Sequence, residues 1–208
     1  GLTMFAGDSA GRMVGRARTL RFVPLREDLV KAQYDDLASS PHRLALDTIG
    51  PGEILVIDTG GFADTGVLGD MFARRVREAG GRGIVNDGAI RDWTAVRKVG
   101  LPIFARAIHG GFIPRTLMSA GRDEPICISR VTIVPGDVIV GDADGVVAVP
   151  PQVAAEIAAE AHDHTERERW MRMKLEAGGR LSEYYPPTGE RLAELEAWLA
   201  DRARQRRD

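Results

Sequence analysis

The sequence predicts an α/β fold, one compact domain with helices appended at its C-terminal end. Three observations carry this. Short runs rich in β-branched residues recur as far as Val149, among them Ile54-Leu55-Val56-Ile57 and Val138-Ile139-Val140, and read as buried strands. Helical periodicity alternates with them at Asp28 to Ala38, Asp70 to Ala79 and Asp92 to Val99. One pattern is written twice, at Pro51 to Asp58 and at Pro135 to Asp142. In both, a Pro-Gly turn feeds an acidic residue and then an apolar strand ending in Asp.

Taken in order, Gly11 to Val23 reads as a strand or two, with Met13-Val14 and Leu20-Arg21-Phe22 as its apolar points. The first Pro-Gly corner follows, then the strand 54–57, the helix from Asp70 and a Gly80-Gly81 stop. Strands at Gly83-Ile84-Val85, Pro102 to Ala105 and Ile126 to Val134 come next. Asp142-Ala143-Asp144-Gly145 has the look of a calcium loop, but position 12 counted from Asp142 is Val153, where that loop requires Glu. A tight turn with Gly145 at positive φ accounts for it. Pro150-Pro151 starts a long charged helix, Gln152 to Ala177, whose Ala154, Ile157, Ala158 and Ala161 form the candidate apolar seam. A last helix, Gly189 to Arg204, follows the Tyr184-Tyr185-Pro186-Pro187 break, and Arg202 to Arg207 form a basic tail.

Composition narrows the function classes. The 208 residues carry 28 basic and 30 acidic side chains, a net charge of −2, so no global field recruits nucleic acid or an anionic membrane. No apolar run approaches the length that spans a bilayer, and no signal segment opens the chain, so a cytoplasmic location is expected. The chain opens at Gly1, which leaves room for an upstream element. The single cysteine, Cys127, excludes an internal disulfide and a multi-thiolate zinc site; in Pro125-Ile126-Cys127-Ile128 it is expected to be a buried packing residue.

The chemistry concentrates in Gly69-Asp70-Met71-Phe72 and Arg91-Asp92, an aspartate followed after twenty residues by an Arg-Asp pair. A helix start offers unpaired N–H groups and a positive dipole end, and the glycines at 60, 61, 66 and 69 let a ligand approach the backbone. Arg91 follows the strand Ile84 to Asp87 and the turn Gly88-Ala89, at the strand's carboxyl end, where α/β sheets place ligands. Its planar fork suits a carboxylate. Asp92 offers hard oxygen to Mg²⁺ or Mn²⁺. The plainer roles are a helix cap for Asp70, a local ion pair for Arg91-Asp92, an Asx turn with Gly88 for Asp87 and a loop hydrogen bond to a backbone carbonyl for His109.

Residues 11 to 180 resemble the family of 4-hydroxy-4-methyl-2-oxoglutarate aldolases and RraA-like proteins, the latter named for a regulator of ribonuclease E. The likeness is carried by Asp70 with Arg91-Asp92, and by Gly11 to Ala17, Pro51 to Asp58, Gly83 to Asp92, Leu101 to Ala105 and Pro135 to Pro150. It implies a swivelling β/β/α domain over residues 1–180, with 181–208 as a helical extension, in a homotrimer or hexamer. It also implies that the amides of Gly69 to Phe72 and the Arg91 side chain bind the pyruvyl end of a 2-oxo acid. Asp92 would reach a divalent metal cation, Mg²⁺ or Mn²⁺, and Asp70 would orient a water on it. Members also draw an acidic residue from a neighbouring subunit, for which Glu166 and Glu168 stand at roughly the right place.

The resemblance thus implies a metal-dependent lyase that releases pyruvate through an enolate, with oxaloacetate decarboxylation as a side activity. No lysine sits in the group, which disfavours a Schiff base. The methyltransferase reading of Val56 to Gly61 fails for lack of a spaced third glycine. The alternative is a non-catalytic regulator of a protein partner such as a ribonuclease, since one scaffold can serve both. The segment Pro24 to Pro41 is longer than the family pattern, which bears on subunit contact and substrate choice.

Overall fold

The structure is a computed structural model, and it describes residues 2–6 and 11–205. These cluster into two compact units, Gly1–Pro151 and Gln152–Asp208. The first holds thirteen strands: β1 (Thr3–Ala6), β2 (Met13–Pro24), β3 (Glu53–Asp58), β4 (Gly66–Leu68), β5 (Gly83–Asn86), β6 (Ala89–Ile90), β7 (Ile103–Ala105), β8 (Ala107–Ile108), β9 (Leu117–Arg122), β10 (Ile126–Ile128), β11 (Val131–Ile133), β12 (Val138–Asp142) and β13 (Gly145–Val149). Its helices are α1 (Glu27–Asp35), α2 (Pro41–Thr48), α3 (Asp70–Glu78) and α4 (Trp93–Val96). This is the mixed α/β class that the sequence predicts.

The main sheet has the order β1-β7-β5-β3-β2-β12-β13, with β9 also paired to β2. Strands β2, β3, β5 and β7 run parallel; β1, β9, β12 and β13 are antiparallel to their neighbours. The twelve-residue β2 holds the sheet together because it pairs with β3, β12 and β9.

The duplicated Pro-Gly corners are one device used on both sides of β2. Gly52 and Gly136 stand at φ 79° and 90°, the positive φ that the third residue of a type II turn requires. The following acid closes back on the turn, Glu53 accepting from the Gly50 amide and Asp137 from the Val134 amide, each at 2.8 Å. The corners then clamp β2, through Arg16 N–H to the Gly52 carbonyl and Ala17 N–H to the Asp137 carbonyl.

Strand β3 is buried on both faces, as expected of a parallel strand covered on each side. Leu55 and Ile57 join the core packed with α2, α3 and α4, while Ile54 and Val56 join a second core with Phe104, Ile126, Ile133 and Ile139. Leu55→Ala is therefore expected to lower the unfolding free energy by about 2–5 kcal/mol, read from urea melts, because Leu55 is wholly buried. A loss under about 0.5 kcal/mol would contradict that packing.

Several local expectations are corrected. The strand predicted over Ile126 to Val134 is a hairpin, β10 and β11, turned by Ser129 and Arg130 at φ 49° and 71°. Such a turn ordinarily uses Asn-Gly, so the sequence does not announce it. Alternation in β10 buries Ile126 and Ile128 and leaves Cys127 exposed rather than buried. The predicted helix Asp28 to Ala38 ends at Asp35, and α2 was not foreseen, although Ser40 caps it through the Arg43 amide and Pro41 opens it. Gly145 does stand at positive φ, and the Asp142 carboxylate accepts from the Asp144 amide.

The second unit contains α5 (Ala154–Glu176), α6 (Leu181–Tyr184) and α7 (Glu190–Gln205). Helix α5 starts two residues after the expected position. Within this unit Ile157, Ala158 and Ala161 of the expected seam take no part in the core. The helix buries Trp170 against Tyr184 and Leu195, and the large indole removes much apolar surface from water. Of the expected basic tail, Arg206 and Arg207 lie outside the described residues. Among the described residues no helix is long and apolar enough to cross a membrane.

Candidate functional site

A separate three-stranded parallel sheet, β4-β6-β8, positions the motif residues. Each strand runs at its carboxyl end into one part of the site: β4 into Gly69 and α3, β6 into Arg91-Asp92 and α4, β8 into His109 to Phe112. The sequence assigned Arg91 to the strand at 84–87. Its own strand is Ala89–Ile90, too short to register as a pattern. The three loops are stitched by backbone bonds: Arg91 N–H to the Leu68 carbonyl (2.8 Å), His109 N–H to the Ile90 carbonyl (2.9 Å) and Gly66 N–H to the Gly111 carbonyl (3.0 Å).

The residue that caps α3 is Gly69, not Asp70. Asp70 is the first helical residue, makes no capping bond, and faces Arg74 at 3.5 Å. The first intrahelical donor is Ala73 N–H, which meets the Gly69 carbonyl at 3.1 Å. The amides of Asp70, Met71 and Phe72 precede it, the N–H groups that a helix start leaves for an outside acceptor. The Met71 side chain is exposed, whereas Phe72 packs edge-to-face on His42 at 4.8 Å between centroids.

Gly69 is where the pieces meet. A Cβ at this position would lie 2.7 Å from Asp92 Oδ2 and 3.3 Å from Arg91 Nε. The structure therefore brings the first turn of α3, the Arg91 guanidinium and the Asp92 carboxylate into contact. Asp92 has φ 56° and ψ 35°, a left-handed conformation that Asp tolerates better than most residues, and its backbone carbonyl starts α4. The Arg91 Nε to Asp92 Oδ2 distance of 3.6 Å is an ion pair without a close hydrogen bond. Arg91 also lies over the Phe112 ring, 5.5 Å from its centroid.

The other candidates make the following bonds. Asp87 accepts from the amide and hydroxyl of Thr59 at 2.6 and 2.8 Å, and burial pushes its carboxyl above the usual range. The expected Asx turn belongs to Asn86, whose Oδ1 accepts from Gly88 N–H. His109 Nδ1 accepts from the Gly111 amide, a loop bond to an N–H rather than to the expected carbonyl. Glu166 pairs with Arg202 and Glu168 with Arg172.

Sequence reasoning missed a cavity of about 210 Å³ beside Arg91, walled by α1, the segment 37–39, α2, Phe72 and the loop after β8. The Ser40-Pro41 capping signal could have located one of its walls. Within it His42 packs on Phe22 and Phe72, and burial, aided by the Arg43 charge, lowers its pKa from 6.5 to about 4. Protons bind the unfolded chain first, so His42 costs stability as pH falls from about 6.5 towards 4, and costs none above that window. Urea unfolding of wild type and His42→Phe should diverge across that window; parallel pH profiles would refute it.

Comparison with known proteins agrees with this architecture. The family model described as RraA-like, Aldolase/RraA, matches residues 2–148. The 4-hydroxy-4-methyl-2-oxoglutarate aldolase of Thermus thermophilus is 32% identical over 142 residues, 67% of this chain and 76% of that protein. A Halalkalibacterium halodurans protein bearing the same name provisionally is 35% identical over 139 residues; the match spans 67% of this chain and 60% of that relative's length. The crystal structure of Streptomyces coelicolor RraAS2, described as a member of the RNase ES inhibitor RraA family, superposes with a TM-score of 0.72 at 37% identity. It covers 83% of this chain and 81% of its own. With the family model spanning residues 2–148, most of its length, the chain belongs to the RraA-like (Aldolase/RraA) family.

Proposed function

We propose that this protein is a divalent-metal-dependent lyase that cleaves 4-hydroxy-4-methyl-2-oxoglutarate, or a related 4-hydroxy-2-oxo acid, to pyruvate. The observation that carries the reading is the convergence at Gly69 of the first turn of α3, the Arg91 guanidinium and the Asp92 carboxylate, which follow two adjacent parallel strands. The relatives named as aldolases support it.

The side chains present suit one mode of holding a divalent cation and not another. Among the described residues no three His, Cys, Asp or Glu side chains converge, so an all-protein cage does not fit. Asp92 does fit Mg²⁺ or Mn²⁺ held by one carboxylate together with substrate and water. Its half-exposed oxygen stands beside the Gly69 cradle. A cation bound there supplies Lewis acidity that stabilises negative charge on the keto oxygen.

The chain's residues do the rest. Arg91 grips the 2-oxo acid's carboxylate with a planar fork, and the amides of Asp70, Met71 and Phe72 donate hydrogen bonds to its negatively charged oxygens. Asp70, through a water, takes the proton of the 4-hydroxyl group. The C3–C4 bond then breaks, its electron pair passes to the pyruvyl half as an enolate, and the hydroxyl-bearing carbon leaves as a carbonyl. Protonation at C3 completes pyruvate. Oxaloacetate decarboxylation would use the same enolate. The site would then serve a homotrimer or hexamer if a neighbouring subunit adds an acid.

Pyruvate release from 4-hydroxy-4-methyl-2-oxoglutarate, present with Mg²⁺ or Mn²⁺ and abolished by chelator, is the expected result. Asp70→Asn should fold normally, because Gly69 and not Asp70 is the cap, yet lose about tenfold or more in rate. A well-folded, metal-loaded protein that turns over no 2-oxo acid would favour the second reading, a ribonuclease regulator, which the likeness to RraAS2 supports.

A further inference from the structure

We propose that Arg43, in the first turn of α2, is a specificity-determining residue: it binds the carboxylate beyond the cleaved bond and so selects 4-hydroxy-2-oxo acids that carry one. The inference rests on the lyase reading for the position of the pyruvyl end. With Arg91 holding the carboxylate at C1, a five-carbon diacid places its second carboxylate a few bonds away, in the space beside Arg91. That space is the cavity of about 210 Å³. Arg43 lines it together with Arg91, and no acidic side chain does.

Phe72 ties Arg43 to the reaction centre. Its amide belongs to the first turn of α3, where the pyruvyl end would be bound, and its ring lies under the Arg43 guanidinium, 5.2 Å from the centroid. The ring covers a face of the guanidinium, while the N–H donors lie in the plane and stay available at its edge. The backbone is held as well, since the Ser40 hydroxyl accepts from the Arg43 amide at 3.3 Å. The charge is uncompensated. Asp47, one turn further along α2 at i,i+4, faces Arg75 at 3.9 Å, and among the described residues no acid pairs with Arg43. His42 does not compete for an anion, because burial, aided by the Arg43 charge, lowers its pKa to about 4 and leaves it neutral near pH 7. A carboxylate entering the cavity gives up part of its hydration and recovers it in charge-assisted hydrogen bonds to Arg43. Leu37 and Ile113, also in the lining, supply carbon for the methyl group that the proposed substrate carries on the same C4 atom.

Two uncleavable probes test this on the full-length, Mn²⁺-loaded protein by titration calorimetry. 2-Oxoglutarate and 2-oxopentanoate have the same length and differ only in a carboxylate or a methyl group at C5. 2-Oxoglutarate should bind about tenfold more tightly, the worth of one charge-assisted pair at an exposed rim. Arg43→Met, which keeps an apolar stem on Phe72, should weaken 2-oxoglutarate by about tenfold and leave 2-oxopentanoate within about twofold. Arg43→Lys should keep most of the margin, and Arg43→Gln replaces the methionine variant should that one fold poorly. All of them should exchange pyruvate methyl protons with solvent at the wild-type rate, because pyruvate has no distal group. Equal binding of the two probes by wild type overturns the proposal. So does Arg43→Met that keeps the margin, or that weakens both probes alike, which is the mark of a merely structural role. Wild type that exchanges pyruvate protons but lacks the margin overturns the role of Arg43 and leaves the lyase standing. An Arg43-dependent margin without proton exchange overturns the lyase and leaves the carboxylate site. Binding of neither probe, with no exchange, overturns both.

Discussion

Asp92→Asn is expected to reduce kcat/KM for metal-dependent pyruvate release by about 10²–10³, the usual cost of removing one preorganised electrostatic group. The choice of Asn follows from the backbone. Asp92 sits at φ 56°, so Asp92→Ala would add left-handed strain of about 1–2 kcal/mol to the lost charge. Asn tolerates that conformation and leaves the α4 start intact, so its deficit reports the carboxylate alone. Arg91→Lys should fall nearly as far while keeping its charge, because a point ammonium cannot offer two parallel donors to a carboxylate or stack on Phe112. Steady-state kinetics with matched circular dichroism checks both. Wild-type turnover by folded Asp92→Asn, above the rate of free metal, would end the mechanism.

Gly69→Ala should cost about 10² in rate with little loss of fold. The Gly69 backbone, at φ −127°, admits any residue, so alanine introduces no backbone strain. The added methyl would stand 2.7 Å from Asp92 Oδ2 and 3.3 Å from Arg91 Nε. The carboxylate, the movable end of a short side chain, must swing away, and the methyl would also narrow access to the first-turn amides of α3. Alanine is a poorer helix cap than glycine, which adds a stability loss of about 0.5–1 kcal/mol that thermal melts would show. Activity within twofold of wild type would mean that Asp92 need not stand where it does.

How much of this was legible follows from the length of each signal. The corners at Pro51-Gly52 and Pro135-Gly136 were readable because Pro and Gly each fix a turn position by sterics alone, and both glycines stand at positive φ. Strand β3 was readable because four consecutive apolar residues suffice for burial on two faces. Strands β4, β6 and β8, which carry the site, have three, two and two residues. No periodicity exists in so short a run, so the sequence alone ties the Arg-Asp pair to β5 and not to β6.

The sequence by itself determined the α/β class, the helix that begins at Asp70 and the meeting of that helix start with Arg91 and Asp92. These rest on local propensity and on a motif whose residues are few and fixed in spacing. Only the tertiary structure decided that Gly69 caps the helix, that Asp92 is left-handed, that Asp87 serves Thr59, that Cys127 is exposed and that α1 and α2 wall a cavity beside Arg91. Each of these depends on a partner far away in sequence, and a side chain's partner is set by how strands pair and helices pack, which no local window contains.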